Sequence, residues 1–305
     1  MKTAFLFPGQ GAQKRGMAES FYKNDASAAE VFKQASEILG FDMEALVFEA
    51  DERLNITSFT QPAMVCAGIA MLEVIKKRGL NAEVCAGLSL GEYEALYYSG
   101  ALSRQDALRV VGVRGRLMQE AMPPGIGTMA AVLGLNADVV QNAIEGIADV
   151  WIANYNCPGQ IVITGLRDSV NKACEALKTA GARRVIPLNV SGAFHCRLFE
   201  EAAMKLYEFL ADINISKPLI PYVANYTAEY IYEADNIKLL LKNQISGAVK
   251  FEQSIRGMLE KGIDTFIEIG SGKTLSGFIK KISAEAAIYN IETIEDLDKV
   301  CKQLQ

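Results

Sequence analysis

Histidine is almost absent from this sequence: His195 is the only one in 305 residues. A zinc site built on several imidazoles is therefore excluded, and any imidazole chemistry must pass through this one residue. The six cysteines include no CxxC pair and no spacing typical of a disulfide framework. Cysteines of this kind are usually small core residues. We predict a protein without a metal site.

The sequence also lacks an excess of basic residues and any long apolar run. Its formal net charge is −5 at pH 7, which argues against a nucleic acid partner because phosphate binding normally leaves a basic footprint. The amino terminus is apolar for too few residues to be a signal peptide, and charges interrupt every apolar stretch before it reaches the length of a membrane span. We predict a soluble cytoplasmic protein that binds neither nucleic acid nor a membrane.

What the sequence does have is a high apolar content, 50% of its residues, in a chain long enough for one large domain or two unequal ones. Apolar strands and helical patterns alternate along the first part of the chain. We predict strands at 3–7 and 83–87 and helices at 17–39, 62–78, 90–98 and 103–121. Ser103 and Asp106 form a capping box for the last of these helices. Beyond His195 we predict a return to helices and short apolar strands, including strands at 221–224 and 265–269.

The segment Pro123-Pro124-Gly125-Ile126-Gly127 is the clearest break in the chain. After it, strands and helices are predicted in the order βαββαβ, at 129–134, 136–147, 149–154, 160–164, 167–180 and 184–190. This order is that of a ferredoxin-like domain. We therefore predict that a small ferredoxin-like domain, residues 126–191, is inserted into a larger α/β domain formed by residues 1–125 and 192–305.

Gly87-Leu88-Ser89-Leu90-Gly91 matches the pattern G-x-S-x-G between a predicted strand and a predicted helix. This is the context of a nucleophile elbow, whose turn is so tight that bulky residues on either side of the serine would clash. The turn places the serine hydroxyl at the positive end of the following helix. The alternative is a tight turn without chemistry, but the strand-to-helix context favours Ser89 as a nucleophile.

A serine hydroxyl needs a base, and His195 is the one imidazole available. It follows a predicted strand and a loop of small residues, where catalytic side chains are often found. The alternative is a histidine that only packs in the core. We favour the base, and no acidic third member of a triad can be identified from the sequence, so a carbonyl is an alternative partner for the imidazole.

Arg114 lies in the apolar stripe of the helix that follows Ser103, at the period of 3.6 residues, whereas Arg109 and Arg116 fall on other faces. A buried guanidinium needs an anion. This anion is either a protein carboxylate or the carboxylate of a substrate, and we favour the substrate. Gly112 and Gly115 flank the arginine and weaken the helix, which indicates that something approaches the helix backbone closely there.

Two glycine-rich segments resemble nucleotide-binding motifs without matching them. The segment Gly270-Ser271-Gly272-Lys273-Thr274 has Ile267 where a phosphate-binding loop needs glycine. After Gly9-Gln10-Gly11, Lys14 stands where a dinucleotide fingerprint needs its third glycine. We therefore predict no nucleotide cofactor, and no cofactor of any kind.

Taken together, these features resemble the malonyl-CoA:acyl-carrier-protein transacylases of fatty acid and polyketide synthesis. The blocks that carry the resemblance come in the family's order and span nearly the whole chain: 7–13 (FPGQGAQ), 87–92 (GLSLGE), 114–119 (RGRLMQ), 154–160 (NYNCPGQ), 192–195 (GAFH), 243–246 (NQIS) and 268–273 (EIGSGK). The family's fold is an α/β-hydrolase-like domain with a central, mostly parallel sheet and a ferredoxin-like insert. This fold agrees with the organisation predicted above.

The resemblance implies a role for each matching position. Ser89 matches the acylated serine, His195 the base, and Arg114 the arginine that holds the malonyl carboxylate. The remaining matches are the backbone N–H groups of Gln10 and Leu90 in the oxyanion hole, the Gln244 carbonyl that orients the histidine, the malonyl-selective Phe194, and the substrate-binding Asn154 and Asn156. Leu88 departs from the family pattern, in which many members carry histidine before the serine.

The resemblance implies ping-pong transfer of a malonyl group from malonyl-CoA to the phosphopantetheine thiol of acyl carrier protein, through a malonyl-serine ester. One alternative is an acyl hydrolase of the same family that clears carrier proteins, and another is a non-catalytic docking subunit on this fold. We expect a monomer. The carrier is usually acidic, so Arg183-Arg184 and Lys280-Lys281 are candidates for a docking patch, with ordinary solvated surface as the alternative. The sequence does not distinguish a fatty acid carrier from a polyketide carrier.

Overall fold

The fold of the chain was obtained as a computed structural model that describes residues 2–123, 125–190 and 192–304. Its strands are β1 Thr3–Phe7, β2 Val84–Gly87, β3 Gly127–Leu133, β4 Val150–Cys157, β5 Gln160–Leu166, β6 Arg184–Pro187, β7 Tyr222–Val223, β8 Tyr230–Ile231, β9 Thr265–Ile269 and β10 Ala287–Ile291.

The helices follow the strands closely in sequence. They are α1 Glu19–Asn24, α2 Ala26–Leu39, α3 Met43–Phe48, α4 Thr57–Lys77, α5 Glu92–Tyr98, α6 Arg104–Glu120, α7 Ala137–Ile144, α8 Arg167–Thr179, α9 Glu200–Leu210, α10 Ile237–Ser246, α11 Phe251–Glu260, α12 Thr274–Ile282 and α13 Ile294–Leu304.

Six strands form the larger sheet, in the order β10-β9-β1-β2-β7-β8. The four pairings from β10 to β7 are parallel, and β8 is antiparallel to β7. Every residue of β1, β2 and β9 is buried, which is why these strands are mostly apolar and do not alternate between apolar and polar residues. The predicted mostly parallel central sheet is confirmed.

The smaller sheet is fully antiparallel, in the order β4-β5-β3-β6, and α7 and α8 pack on it around their own apolar core. With strands and helices in the order βαββαβ, this is the predicted ferredoxin-like arrangement. Its elements span residues 127–187. Pro124 and Ser191, which lie beside the predicted domain boundaries, are outside the described residues, and the boundaries themselves stay a prediction.

Two features of the large domain differ from the sequence prediction. The helix expected at 17–39 is two helices, because Asp25 adopts an extended backbone and its side chain accepts a hydrogen bond from the Ser27 N–H (2.8 Å), which starts α2. Helix α3 was not predicted, and strands β8 and β10 were not placed individually among the short strands expected after His195. They are short or only half buried, so their sequences carry a weak periodic signal.

The remaining predicted elements of this domain lie close to their expected positions. Ser103 caps α6, since its Oγ accepts a hydrogen bond from the Asp106 N–H (3.0 Å) and donates to Asp106 Oδ2 (2.8 Å). The expectation that no apolar stretch reaches the length of a membrane span was wrong for helix α4, which is long and apolar enough to cross a membrane. However, 83% of its apolar window is buried inside the protein, where it packs against α2, α5 and α6. It is therefore a core helix.

Candidate active site

Ser89 sits at the carboxyl end of β2 in a left-handed backbone conformation, with φ of 54°. A short 3₁₀ turn over Ser89–Gly91 leads directly into α5. A Cβ added to Gly87 would lie 1.9 Å from the backbone of Gly91, and one added to Gly91 would lie 2.2 Å from the Phe7 carbonyl oxygen. Both glycines are therefore required sterically, as the nucleophile elbow predicts.

Asn225, just beyond β7, holds this turn from outside. Its Oδ1 accepts a hydrogen bond from the Ser89 N–H (2.6 Å), and its Nδ2 donates to the Gly87 carbonyl (2.7 Å). The residue is 2% exposed. Its side chain thus stabilises the strained serine backbone. This residue could not be identified from the sequence, because nothing there relates Asn225 to a turn 136 positions earlier.

His195 faces the serine, with 2.7 Å between its Nε2 and Ser89 Oγ. Its Nδ1 lies 2.8 Å from the main-chain carbonyl oxygen of Gln244. A carbonyl can only accept, so Nδ1 carries the proton and Nε2 is free to accept the serine proton. Burial, followed by the charge of Arg114, lowers the pKa of His195 from 6.5 to about 4. The imidazole is therefore neutral at physiological pH.

Arg114 is 1% exposed and reaches the same point from α6. Its Nη2 donates to Ser89 Oγ (3.2 Å) and to Gln244 Oε1 (2.9 Å), and the guanidinium lies 5.4 Å from the centre of the Tyr93 ring. Within the part of the chain that the structure describes, it forms no ion pair with a carboxylate. The internal ion pair considered from the sequence is therefore not supported, whereas Arg109 and Arg116 are exposed, as expected.

The glycines beside Arg114 are explained by helix packing. A Cβ on Gly115 would lie 3.0 Å from the Thr57 carbonyl oxygen at the start of α4, and one on Gly112 would lie 2.7 Å from a methyl group of Leu39. The close approach to the α6 backbone predicted from these glycines thus exists. It is made by α4 and α2, which fixes the helix that carries the arginine.

A cavity of about 490 Å³ opens at Ser89, His195 and Arg114, between the two sheets. The large domain also contributes Gln10 and Phe194 to its wall, and β4 of the small domain contributes Asn154 and Asn156. Asn156 Oδ1 is buried and has no hydrogen-bond partner among the described residues. The Leu90 side chain is fully buried in the core, so only the backbone of this residue can serve the site.

Two further polar side chains near the site were not assigned a role from the sequence. Gln61, from α4, lines the cavity, is fully buried, and donates from Nε2 to Gln10 Oε1 (3.4 Å). Glu92, directly after the nucleophile turn, is also fully buried. Burial raises its pKa to about 7, although hydrogen bonds from Gln244 and Asn225 oppose the shift.

No cluster of three or more histidine, cysteine or acidic side chains suited to a metal ion occurs in residues 2–123, 125–190 and 192–304. The groups gathered around the cavity are instead a hydroxyl, a neutral imidazole, a guanidinium and amides. This set suits the attack of an activated serine on an acyl group that carries a negative charge.

Comparison with known proteins agrees with this chemistry. Residues 4–293 match the family model described as acyl transferase domain. The malonyl CoA-acyl carrier protein transacylase of Bacillus subtilis (strain 168) is 43% identical over 302 residues, which are 96% of this chain and 95% of the relative. The same-named protein of Staphylococcus aureus (strain MRSA252) is 39% identical, with 97% of each chain covered.

Solved structures give the same result. The malonyl CoA-acyl carrier protein transacylase from Clostridium perfringens superposes with a TM-score of 0.96 at 45% identity, covering 100% of this chain and 97% of the other. A malonyl-transacylase solved in complex with its type II polyketide synthase acyl-carrier protein has a TM-score of 0.96 at 35% identity, covering 99% and 100%. The chain belongs to the acyl transferase family and, within it, to the family of malonyl-CoA:acyl-carrier-protein transacylases. The resemblance found in its sequence is confirmed.

Proposed function

We propose that this protein is a malonyl-CoA:acyl-carrier-protein S-malonyltransferase that works through a malonyl ester of Ser89. The observation that carries the proposal is that one hydroxyl contacts both His195 Nε2, at 2.7 Å, and the buried guanidinium of Arg114, at 3.2 Å. The first contact activates the nucleophile. The second contact places a fixed positive charge close to the serine. A malonyl thioester that presents its carbonyl carbon to Ser89 Oγ has its free carboxylate only two carbon atoms away, within reach of that charge.

In the first half-reaction, His195 Nε2 accepts the Ser89 proton while Oγ attacks the thioester carbonyl of malonyl-CoA. The C–S bond then breaks, the coenzyme A thiolate takes the proton from the imidazolium, and a malonyl-serine ester remains. The main-chain carbonyl of Gln244 holds the Nδ1 proton throughout, which accounts for the absence of an acidic third member of the triad.

The oxyanion of the tetrahedral intermediate is held by the backbone N–H groups of Gln10 and Leu90, which flank the serine from the loop after β1 and from the nucleophile turn. Each such donor typically lowers the barrier by about 3 kcal/mol. Asn154, Asn156 and Phe194 line the same cavity. In the proposal, the two amides bind the substrate and the phenyl ring restricts the space beside the malonyl methylene.

In the second half-reaction, the phosphopantetheine thiol of an acyl carrier protein gives its proton to His195 and attacks the malonyl-serine ester, which regenerates the serine. One relative with a TM-score of 0.96 was solved in complex with such a carrier. The hydrolase alternative is not favoured, since the curated relatives named above are transacylases.

The proposal includes no cofactor, because the reaction needs only an acyl donor, a nucleophile and a base. Malonyl-CoA and the carrier are its partners, and no nucleic acid or membrane takes part. The protein acts as a monomer in the cytoplasm. Transfer assays with a fatty acid carrier and a polyketide carrier distinguish the two pathways.

The test is intact-protein mass spectrometry after incubation with malonyl-CoA. We expect an adduct with the mass of one malonyl group, absent from Ser89→Ala, and its disappearance when an acyl carrier protein bearing phosphopantetheine is added. A wild-type protein that never gains the adduct contradicts the proposal. If free malonate is released at the rate at which the adduct is lost, and the carrier is not acylated, the protein is a hydrolase and the proposal of transfer is wrong.

A further inference from the structure

The carboxyl group of Glu92 lies directly beneath the nucleophile turn, and the reaction proposed above makes no use of it. It is 0% exposed and begins helix α5. One of its oxygens, Oε2, accepts a hydrogen bond from Gln244 Nε2 (2.7 Å) and a longer one from the Asn225 backbone N–H (3.3 Å). The two residues that Glu92 holds are themselves in contact with the reacting groups.

Gln244 contacts all three of these groups. Its Nε2 also donates to the Ser89 carbonyl (2.8 Å), its Oε1 accepts from Arg114 Nη2 (2.9 Å), and its main-chain oxygen accepts from His195 Nδ1 (2.8 Å). Its side chain is fully buried. The orientation of the Gln244 side-chain amide is therefore coupled to the direction in which the Arg114 guanidinium points.

The chemistry of the partners permits only one orientation of this amide. A guanidinium can only donate hydrogen bonds, whereas a carboxylate and a carbonyl can only accept them. The NH₂ group of Gln244 must face Glu92 and the Ser89 carbonyl, and the amide oxygen must face Arg114. The reversed amide would place oxygen against two acceptors and NH₂ against the guanidinium. Above about pH 7, the value to which burial raises the pKa of Glu92, the group is an ionised carboxylate. Its hydrogen bond is then charge-assisted and strengthens the preference, so the assays below are run at pH 8.

We propose that Glu92 is a positioning residue for malonyl transfer: through Gln244 it fixes the direction of the Arg114 guanidinium, and through Asn225 it supports the Ser89 turn. This inference rests on the proposed function. The relay runs Arg114–Gln244–Glu92 through elements α6, α10 and α5, so it joins parts of the chain that are far apart in sequence. Loss of Glu92 disorders the aim of the arginine without removing a group that touches the substrate.

The test uses the variants Glu92→Gln and Glu92→Asp. Single-turnover acylation of Ser89 is measured in each by quenched flow with detection by intact-protein mass spectrometry. Glu92→Gln keeps the shape of the side chain and removes its charge. Glu92→Asp keeps the charge but shortens the side chain by one methylene group, so the carboxylate lies farther from Gln244. The rate constant is taken per acylable site, so that a lower yield of folded protein does not enter it. Malonyl-CoA and acetyl-CoA are compared in each variant.

We expect each variant to acylate with malonyl about 10-fold or more slowly per site, since a small misplacement of a positioned group has effects of up to about 100-fold. The rate with acetyl should fall less, because acetyl has no carboxylate for Arg114 to hold, so the preference for malonyl over acetyl narrows. Glu94→Gln is the matched control. Glu94 is on the same helix and equally buried, but it does not line the active-site cavity, and its rate and preference should equal those of the wild type.

If Glu92 only stabilises the fold, the result is different. The fraction of protein that can be acylated then falls in both variants, but the rate constant per acylable site and the preference for malonyl over acetyl stay at wild-type values. That result overturns the inference and leaves the proposed function intact. A wild-type protein that takes no malonyl group overturns both.

Discussion

Arg114 holds its charge in a place where solvent cannot screen it, and within the described chain it has amide, hydroxyl and aromatic neighbours in place of a carboxylate. Burial lowers the pKa of its guanidinium, while the nearby Tyr93 and Glu92 oppose the shift. A cation held in this way binds an incoming carboxylate strongly, because the cost of its desolvation is already part of the folded state.

Arg114→Ala should therefore reduce kcat/KM for malonyl-CoA by about 100-fold or more, the usual result of truncating one member of a buried charged pair. Transfer of acetyl should fall much less, because acetyl has no carboxylate. Steady-state assays with both thioesters measure the difference. Arg116→Ala, exposed and on the same helix, is the control and should leave both activities unchanged. Equal losses for malonyl and acetyl would show that Arg114 serves the fold and not the substrate.

The pKa of His195 sets the acid limit of the reaction. Burial and the charge of Arg114 lower this pKa to about 4, so the imidazole is a neutral base at every pH above that value. The single-turnover rate of serine acylation should rise with a midpoint near pH 4 and show no His195 titration near 6.5. Glu92, with a pKa raised to about 7, is the other group that can titrate here. If the rate of acylation still changes with a midpoint near pH 7 in Glu92→Gln, Glu92 is not the group responsible. That result would contradict a His195 pKa of about 4.

At the level of elements, the nucleophile turn is where local sequence and tertiary structure agree most closely. Ser89 accepts a left-handed φ only because Gly87 and Gly91 let the chain pass against itself and against the end of β1. The same two glycines made the turn recognisable from sequence. The turn can be predicted because its glycine pattern lies within five residues, even though one of the two steric contacts that require glycine is made with the end of β1.

Gly91→Ala should abolish serine acylation and lower stability by about 3 kcal/mol or more, because the added methyl group meets backbone atoms that cannot move aside. Gly257→Ala is the matched control. Gly257 lies in α11 with no atom within 4 Å of an added Cβ, so alanine should stabilise the protein by up to about 1 kcal/mol. Urea unfolding and the acylation assay measure the two effects. A folded, active Gly91→Ala would refute the steric account of the turn.

Other parts of the site could not be predicted from sequence for a physical reason. The βαββαβ order and the strands β1, β2 and β9 follow from apolar periodicity, and Ser89, His195 and Arg114 were identified by their types and local patterns. Asn225 and Glu92 have no such pattern of their own. Their significance arises from hydrogen bonds to residues up to 152 positions away, and those exist only once the parallel sheet has brought its carboxyl ends together.

Over the whole molecule, the active site lies where the two domains meet. Glu94 is a buried acidic residue outside that cavity. It is 3% exposed on α5, and burial alone raises the pKa of its carboxyl well above the ordinary value. Its Oε2 has no partner among the described residues, and Gly68 of α4 leaves the space that the carboxyl fills. Such surroundings favour the protonated form of the carboxyl group in the folded state.

This carboxyl should make global stability fall as pH rises. Below the ordinary glutamate pKa, 4.5, both the folded and the unfolded states keep the proton and Glu94 has no pH-dependent effect. Above it the unfolded chain releases the proton while the folded protein retains it, so the free energy of unfolding decreases until the raised folded pKa is reached.

The glutamine in Glu94→Gln cannot ionise, so the variant should not show this decrease in the free energy of unfolding as pH rises. Urea unfolding of the wild type and the variant at pH 5 and pH 8 tests the prediction, since every other titrating group, Glu92 included, is shared by the two proteins and cancels in the difference. The stability of the variant relative to the wild type should be greater at pH 8 than at pH 5, because only the wild type loses stability over this range. A difference that is the same at both pH values would mean that Glu94 ionises freely in the folded protein, and a difference that shrinks at pH 8 would mean that its carboxylate has a stabilising partner.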